Sequence, residues 1–396
     1  MTTRIHGVDL ARGLAILGMM LAHFADPLSR IGMLIDGFPS TLFAVVAGFS
    51  LALIHSRNPE NSPARLLIRG VILFALGTAL MAVPAIAQVL TSVALIYLFL
   101  FWIPRLRTRY VVIALLVLAV ASALAPDLFF TMGPYPPAAW LTYGTLGVLL
   151  FRLQEGAPQR IPAVLLGAAV LAGLSLWWRG RSVGYQFLGD SVSAVDFGWT
   201  MGGPAGSTPA AGLSATLTPL PHSGSIGDLL CTGSMAVVVI LACLLLTRLR
   251  PAVTMTLPLR AVGRAALSIY LLHVLTAGFY LQHEMQPQVQ SISPDEEVEE
   301  EPSFEDYRDA VAGADSWEEY YQAEADFYGY GDETEYLDPD ELSGPDTHWW
   351  GFGISALAAL ILAPLWLRFF RQGPAEWLVA RLIRSGAAAG TSAHTP

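Results

Sequence analysis

The chain contains no lysine, and all 22 of its basic residues are arginine. Charged residues of either sign make up only 14% of its 396 residues, against 54% hydrophobic. That balance excludes an ordinary soluble globular domain. Acidic residues are scarce over most of the length, because 21 of the 32 lie within residues 294–346. Only two cysteines are present, Cys231 and Cys243, on one apolar stretch where neither can reach the other. No His/Cys cluster has the spacing of metal ligands, so neither a disulfide nor a metal site is expected. Exclusive use of arginine points to the codon bias of a GC-rich genome, and hence to a bacterium.

Long apolar runs take the place of these missing features. Ten of them fall near residues 8–25, 39–56, 66–83, 86–104, 110–126, 137–153, 162–178, 225–247, 261–282 and 348–369. Each is about long enough to cross a hydrocarbon core of roughly 30 Å as a helix. With the first end inside, 17 arginines fall on inner loops and helix ends, four (Arg30, Arg179, Arg181, Arg308) fall outside, and Arg12 lies within the first span. This asymmetry is what the positive-inside rule predicts. The expected architecture is all-α: a polytopic bundle of about ten transmembrane helices in a bacterial plasma membrane, with both termini cytoplasmic. Asp9 and Arg12 interrupt the first span and no small-x-small cleavage site follows, so it does not read as a removable signal peptide.

The expected organisation is a helix bundle over 1–282 (spans one to nine), an insertion over 283–346, a last span over 347–372 and a tail over 373–396. Residues 294–346 alone carry a net charge of −20, leaving +10 on the remainder. A long acidic stretch without apolar periodicity reads as a disordered extracytoplasmic insertion. The second long outer loop, 179–224, is rich in Gly, Ser, Thr and Pro. The tail carries Trp377 and Leu378 with Arg381 and Arg384 near its end, the pattern of an amphipathic helix on the inner membrane surface.

Ionisable groups inside a bilayer are costly, so each demands either a structural or a functional account. Asp9 and Arg12 share a helical face near the inner end of the first span. They either form an ion pair that seats the helix or turn Arg12 into a cytoplasm-facing pocket as a phosphate or carboxylate ligand. His23 lies eleven residues after Arg12, roughly 16 Å along the helix, with Asp26 less than a turn beyond. Imidazole is a general base near neutral pH, and a neighbouring carboxylate orients it. His273 occupies the outer half of the ninth span, and His222 flanks the outer start of the eighth, close to Asp228. For any one histidine a structural hydrogen bond is the simpler account, but three at similar depth suggest a common chamber. Arg69, Arg260 and Arg264 stand at inner helix ends. Most of these belong to the positive-inside signal, and Arg264, already within its span, is the strongest candidate ligand among them.

The opening Val8-Asp9-Leu10-Ala11-Arg12-Gly13-Leu14-Ala15 resembles the first membrane helix of the heparan-α-glucosaminide N-acetyltransferase family, and Phe38 to Leu51 is similar to its second. Pro221-His222-Ser223-Gly224, Gly263-Arg264-Ala265-Ala266-Leu267-Ser268-Ile269-Tyr270-Leu271-Leu272-His273 and Gly373-Pro374-Ala375-Glu376-Trp377 resemble a bacterial, acyltransferase-3-related branch grouped with that enzyme. The resemblance implies transmembrane acylation. Cytoplasmic acetyl-CoA would pass its acyl group to an extracytoplasmic glycan or glycolipid, with a trehalose-mycolate-type envelope lipid as the acceptor suggested by actinobacterial relatives. That family's catalytic histidine lies in the first lumenal loop. Residues 27–37 hold no histidine here, so the role falls to His23, with His273, His222 and Asp26 as companions. Arg12, Asp9, Arg264 and Arg69 would bind the donor.

The expected partners are the bilayer, acyl-CoA and the acceptor, with a homodimer as an option and no nucleic acid. The competing readings are a transporter or exporter of a lipid or glycan precursor and a non-catalytic scaffold. No internal repeat relates two halves of the chain, which weighs against the transporter.

Overall fold

The computed structural model describes residues 4–25, 30–83, 86, 88–124, 136–189, 216–285 and 349–392. Asp26 and the whole acidic stretch 294–346 lie outside the described residues. Among the described residues the secondary structure is entirely helical. In chain order the helices are α1 (His6–Phe24), α2 (Arg30–Ile35), α3 (Phe38–Arg57), α4 (Ser62–Leu80), α5 (Leu90–Phe99), α6 (Thr108–Leu124), α7 (Pro137–Gly156), α8 (Ile161–Gly189), α9 (Ile226–Leu246), α10 (Arg250–Met255), α11 (Leu257–Arg264), α12 (Ala266–Met285), α13 (Trp349–Phe369) and α14 (Pro374–Ser392). The chain separates into two units, 1–282 with 347–396, and 283–346.

Local chemistry accounts for several helix starts. α3 begins after Gly37, whose φ of 74° only glycine adopts freely, and carries Pro39 in its first turn. The Ser225 side chain caps α9 by accepting from the Asp228 N–H at 3.1 Å. α8 runs on to Gly189, so Arg179, expected in an outer loop, instead projects from a helix.

Six helices, α1, α3, α4, α8 (with the turn before it), α9 and α13, are long and apolar enough to cross a membrane. The count rises to seven if α11 and α12, bent by 82° at Ala265, form one broken span. Four of the ten expected spans therefore fall outside the six. The run at 86–104 forms the ten-residue helix α5, the run at 110–126 gives the shorter α6, and 261–282 is split. Hydropathy registers apolar length but not whether the backbone turns within it. The 20 residues of α7 stay outside the six mainly because Arg152, Gln154 and Glu155 near its end lower its mean hydropathy, although Trp140 and Tyr143 are fully buried.

α1, α3 and α9 are mostly buried within the bundle, α4 is mostly half-buried, and α8 and α13 expose most of their apolar side chains. Such exposed faces on α6, α8 and α13 suit contact with lipid chains. α1 packs against α3, α9, α11 and α13, so it runs through the centre of the assembly.

At several helix crossings among the described residues small residues bring backbones into direct contact, as in membrane bundles generally. α3 meets α7 where Gly48 lies against Gly144. α1 meets α11 where Gly263 lies against the Asp9 carbonyl, and a methyl group there would overlap that oxygen. Gly263→Ala is therefore expected to destabilise the protein by about 1–3 kcal/mol through overpacking, lowering its melting temperature in detergent. An unchanged melting temperature would show that the two helices separate without cost.

Candidate functional site

The first polar cluster gathers around the start of α1. Asp9 is buried, and Arg4 Nε donates to its Oδ2 at 2.6 Å while Arg12 Nη1 stands 3.6 Å from its Oδ1. Arg12 then reaches away from Asp9. Its Nη2 donates to Ser50 Oγ on α3 at 2.7 Å and its Nη1 to the Gly263 carbonyl on α11 at 3.3 Å. Arg12 therefore ties three helices together at one end. Arg69 on α4, with its guanidinium 5.2 Å from the Tyr97 ring centre, lies within electrostatic reach of Arg12. Arg260 donates to His6 Nδ1 at 2.9 Å and to the Val253 carbonyl, while Arg264 donates to the Arg371 carbonyl at 3.1 Å. Among the described residues, the buried Nε–H groups of Arg69, Arg260 and Arg264 have no hydrogen-bond partner. The expected ligands Arg12, Asp9, Arg264 and Arg69 thus belong to one end of the bundle, where the arginines outnumber the nearby carboxylates of Asp9 and Glu376. Unused guanidinium donors beside excess positive charge suit a multiply charged anion.

The second cluster lies at the other end of α1. His23 Nδ1 and His273 Nε2 are 2.9 Å apart, with ring centroids 5.2 Å apart and planes 9° from parallel. Phe24 approaches the His273 ring edgewise at 6.0 Å and also contacts Tyr280. His273 is buried (4% exposed), whereas His23 is only partly covered. Two neutral imidazoles joined through one hydrogen bond allow two tautomeric arrangements. If His23 Nδ1–H donates to His273 Nε2, His23 Nε2 is left with a free lone pair on the more exposed ring. That nitrogen is then a base, and His273 accepts the hydrogen bond that supports the imidazolium formed on proton uptake. If the donor is His273 Nε2–H, the His23 Nε2 position is protonated and the ring offers a donor instead.

His222 does not join this pair. It is held by Asp36, with Nε2 2.8 Å from Oδ1, in a second assembly that the sequence did not disclose. Arg179 Nη2 donates to Asp228 Oδ1 at 3.0 Å, and both side chains are buried. Arg179 also donates to the carbonyls of Pro219 at 2.8 Å and Asp36 at 3.5 Å, and Asp228 Oδ2 accepts from the Gly224 N–H at 3.3 Å. Burial disfavours the charge on His222, but the Asp36 carboxylate outweighs this and raises the histidine above its ordinary value. Burial likewise works against Asp36 ionisation, yet the charge and hydrogen bond of His222, with Arg179, hold it below the usual carboxylate range. His222 adopts φ 62°, uncommon for a residue with a side chain. The backbone is thus shaped around the pair.

Arg179, Asp36, Ser50 and Glu376 all carry contacts that sequence reasoning did not anticipate. For Arg179 a signal existed. Asp228 inside an apolar helix needs a cation, and few arginines stand on its side of the chain. The Gly373–Trp377 motif marked Glu376 without indicating its partner, and no comparable signal marked Asp36.

No protein-family model, no curated protein sequence and no solved structure matches this chain.

Proposed function

We propose that the protein is an integral-membrane acyltransferase that moves an acetyl or other short acyl group from acyl-CoA to a hydroxyl or amine of a glycan or glycolipid in the cell envelope. The observation that carries this reading is the His23–His273 pair. It is a hydrogen-bonded imidazole couple on the same helix as Arg12 but roughly 16 Å along it. A phosphate-rich donor would be gripped at the arginine end, with its pantetheine arm running along α1 toward the histidines. His23 Nε2 would take the acceptor's proton as the acceptor oxygen or nitrogen attacks the thioester carbonyl. The new bond forms at that carbon, the C–S bond breaks, and the CoA thiolate leaves and is reprotonated from the imidazolium. His273 would stabilise that imidazolium by accepting the Nδ1–H hydrogen bond. In this reading the arginine end is cytoplasmic, the membrane is the bacterial plasma membrane, and the shorter helices α5 and α6, with α7, complete an arrangement of about ten membrane passes. The acceptor most in keeping with the motif resemblance is a trehalose-mycolate-type lipid.

The 82° break between α11 and α12 favours the alternative of a transporter, because broken helices often present half-helix ends to anionic cargo. Against it, the first amides of α12 are already occupied by Glu376.

Calorimetry of the purified protein with acetyl-CoA tests the donor assignment. Binding is expected, and Arg12→Ala or Arg264→Ala is expected to weaken it by roughly tenfold to 10²-fold, the loss of one or two charge-assisted hydrogen bonds. No binding by well-folded protein, together with unchanged envelope acylation in a deletion strain, would remove the acyltransferase reading.

A further inference from the structure

The break at Ala265 leaves the first N–H groups of α12 without partners inside their own helix. A residue more than 100 positions away supplies the missing acceptor. Glu376, in the first turn of α14, accepts through Oε1 from the N–H groups of Leu267 at 2.7 Å and Ser268 at 3.4 Å. Its Oε2 accepts from the Ser268 hydroxyl at 2.5 Å, and Ser268 Oγ in turn accepts from the Ala375 N–H at 3.0 Å. A carboxylate at this position also complements the positive end of the helix dipole. The same connecting stretch grips the other side of the break, since the Arg371 carbonyl accepts from Arg264 at the end of α11. The chain around residues 371–376 thus clasps both halves of the bent pair. His273 stands five residues, about one and a half turns, beyond Ser268 on the helix so capped. An imidazole pair at 2.9 Å tolerates little displacement of the helix that carries one member.

We propose that Glu376 is a positioning residue: the C-terminal helix, by capping α12, sets the depth and rotation at which His273 meets His23. Its catalytic consequence rests on the acyltransferase reading, but the geometric claim does not. Tyr270 provides a second tether, its hydroxyl accepting from the Val89 N–H at 3.0 Å. Removal of Glu376 is therefore expected to shift α12 rather than release it.

The test reads geometry and chemistry separately, in the full chain. Cys231 and Cys243 are first replaced by Ala, and His23→Cys with His273→Cys then places two thiols at the pair. A short bifunctional thiol reagent reports how often they meet. Adding Glu376→Ala is expected to cut the cross-linking rate severalfold, and Glu376→Gln, which keeps an oxygen for the Leu267 N–H, is expected to recover most of it. In the chain with both histidines intact, Glu376→Ala is expected to slow transfer by about tenfold to 10²-fold, as small misplacements of a catalytic group do. Acyl-CoA affinity should stay unchanged. If Glu376→Ala does not fold, Ser268→Ala, which removes only the hydroxyl link, should show a smaller loss in the same direction. Unaltered cross-linking in the folded variant overturns the proposal, even where transfer itself is confirmed. Reduced cross-linking in a protein that transfers no acyl group upholds the positioning role and rejects the acyltransferase reading instead.

Discussion

Replacement of either His23 or His273 by alanine is expected to slow acyl transfer by about 10²–10⁴-fold, the usual loss when a general base is removed. The two losses should overlap rather than multiply, because the rings act through one hydrogen bond of 2.9 Å. Acyl-CoA binding should be retained in both variants, since the donor's phosphates are assigned to the opposite end of α1, around Arg12. His273→Gln offers a finer probe. Its side-chain oxygen can accept from His23 Nδ1–H much as the imidazole Nε2 does, so it should restore part of the rate that His273→Ala loses. Transfer at the wild-type rate in both alanine variants would exclude the pair from the chemistry.

The largest effect on stability is expected at Arg179 and Asp228. Their side chains are 5% and 0% exposed and 3.0 Å apart. Losing one member leaves a buried charge without its closest hydrogen-bonded partner, at a cost of about 3–5 kcal/mol. Arg179→Ala should be further weakened by the lost hydrogen bond to the Pro219 carbonyl, and it should loosen the junction between α8 and α9, which pack along each other. Replacing both residues together by apolar side chains of similar volume, Arg179→Met with Asp228→Leu, should recover much of the loss, because neither desolvated charge then remains. Thermal unfolding in detergent distinguishes these outcomes. Single variants that melt like the parent would mean that water or lipid headgroups compensate the orphaned charge.

Helical character is a local property and was legible from composition and period, but the spans were legible only in part, since the runs at 86–104 and 110–126 form shorter helices and that at 261–282 is broken. Asp9, Arg12 and His23 could be set on one helix at the right separations because a rise of 1.5 Å per residue leaves no freedom once the helix is granted. The tail's helical character was legible for the same reason.

Tertiary structure alone decided which polar groups meet. His23 finds His273 across 250 positions, Asp36 finds His222 across 186, and Glu376 caps a helix more than 100 residues upstream. The sequence expectation grouped three histidines in one chamber, whereas the fold pairs two of them and gives the third to Asp36. It also could not foresee the turn at Ala265 within what reads as one continuous apolar run. The physical reason is that a membrane span is apolar on both its lipid-facing and its protein-facing sides. Hydropathy therefore shows where helices are but not which face turns inward. That choice is made by close backbone contacts such as Gly263 on the Asp9 carbonyl and Gly48 on Gly144, and by the requirement that every buried charge reach a partner. Both conditions are met only once distant helices have packed.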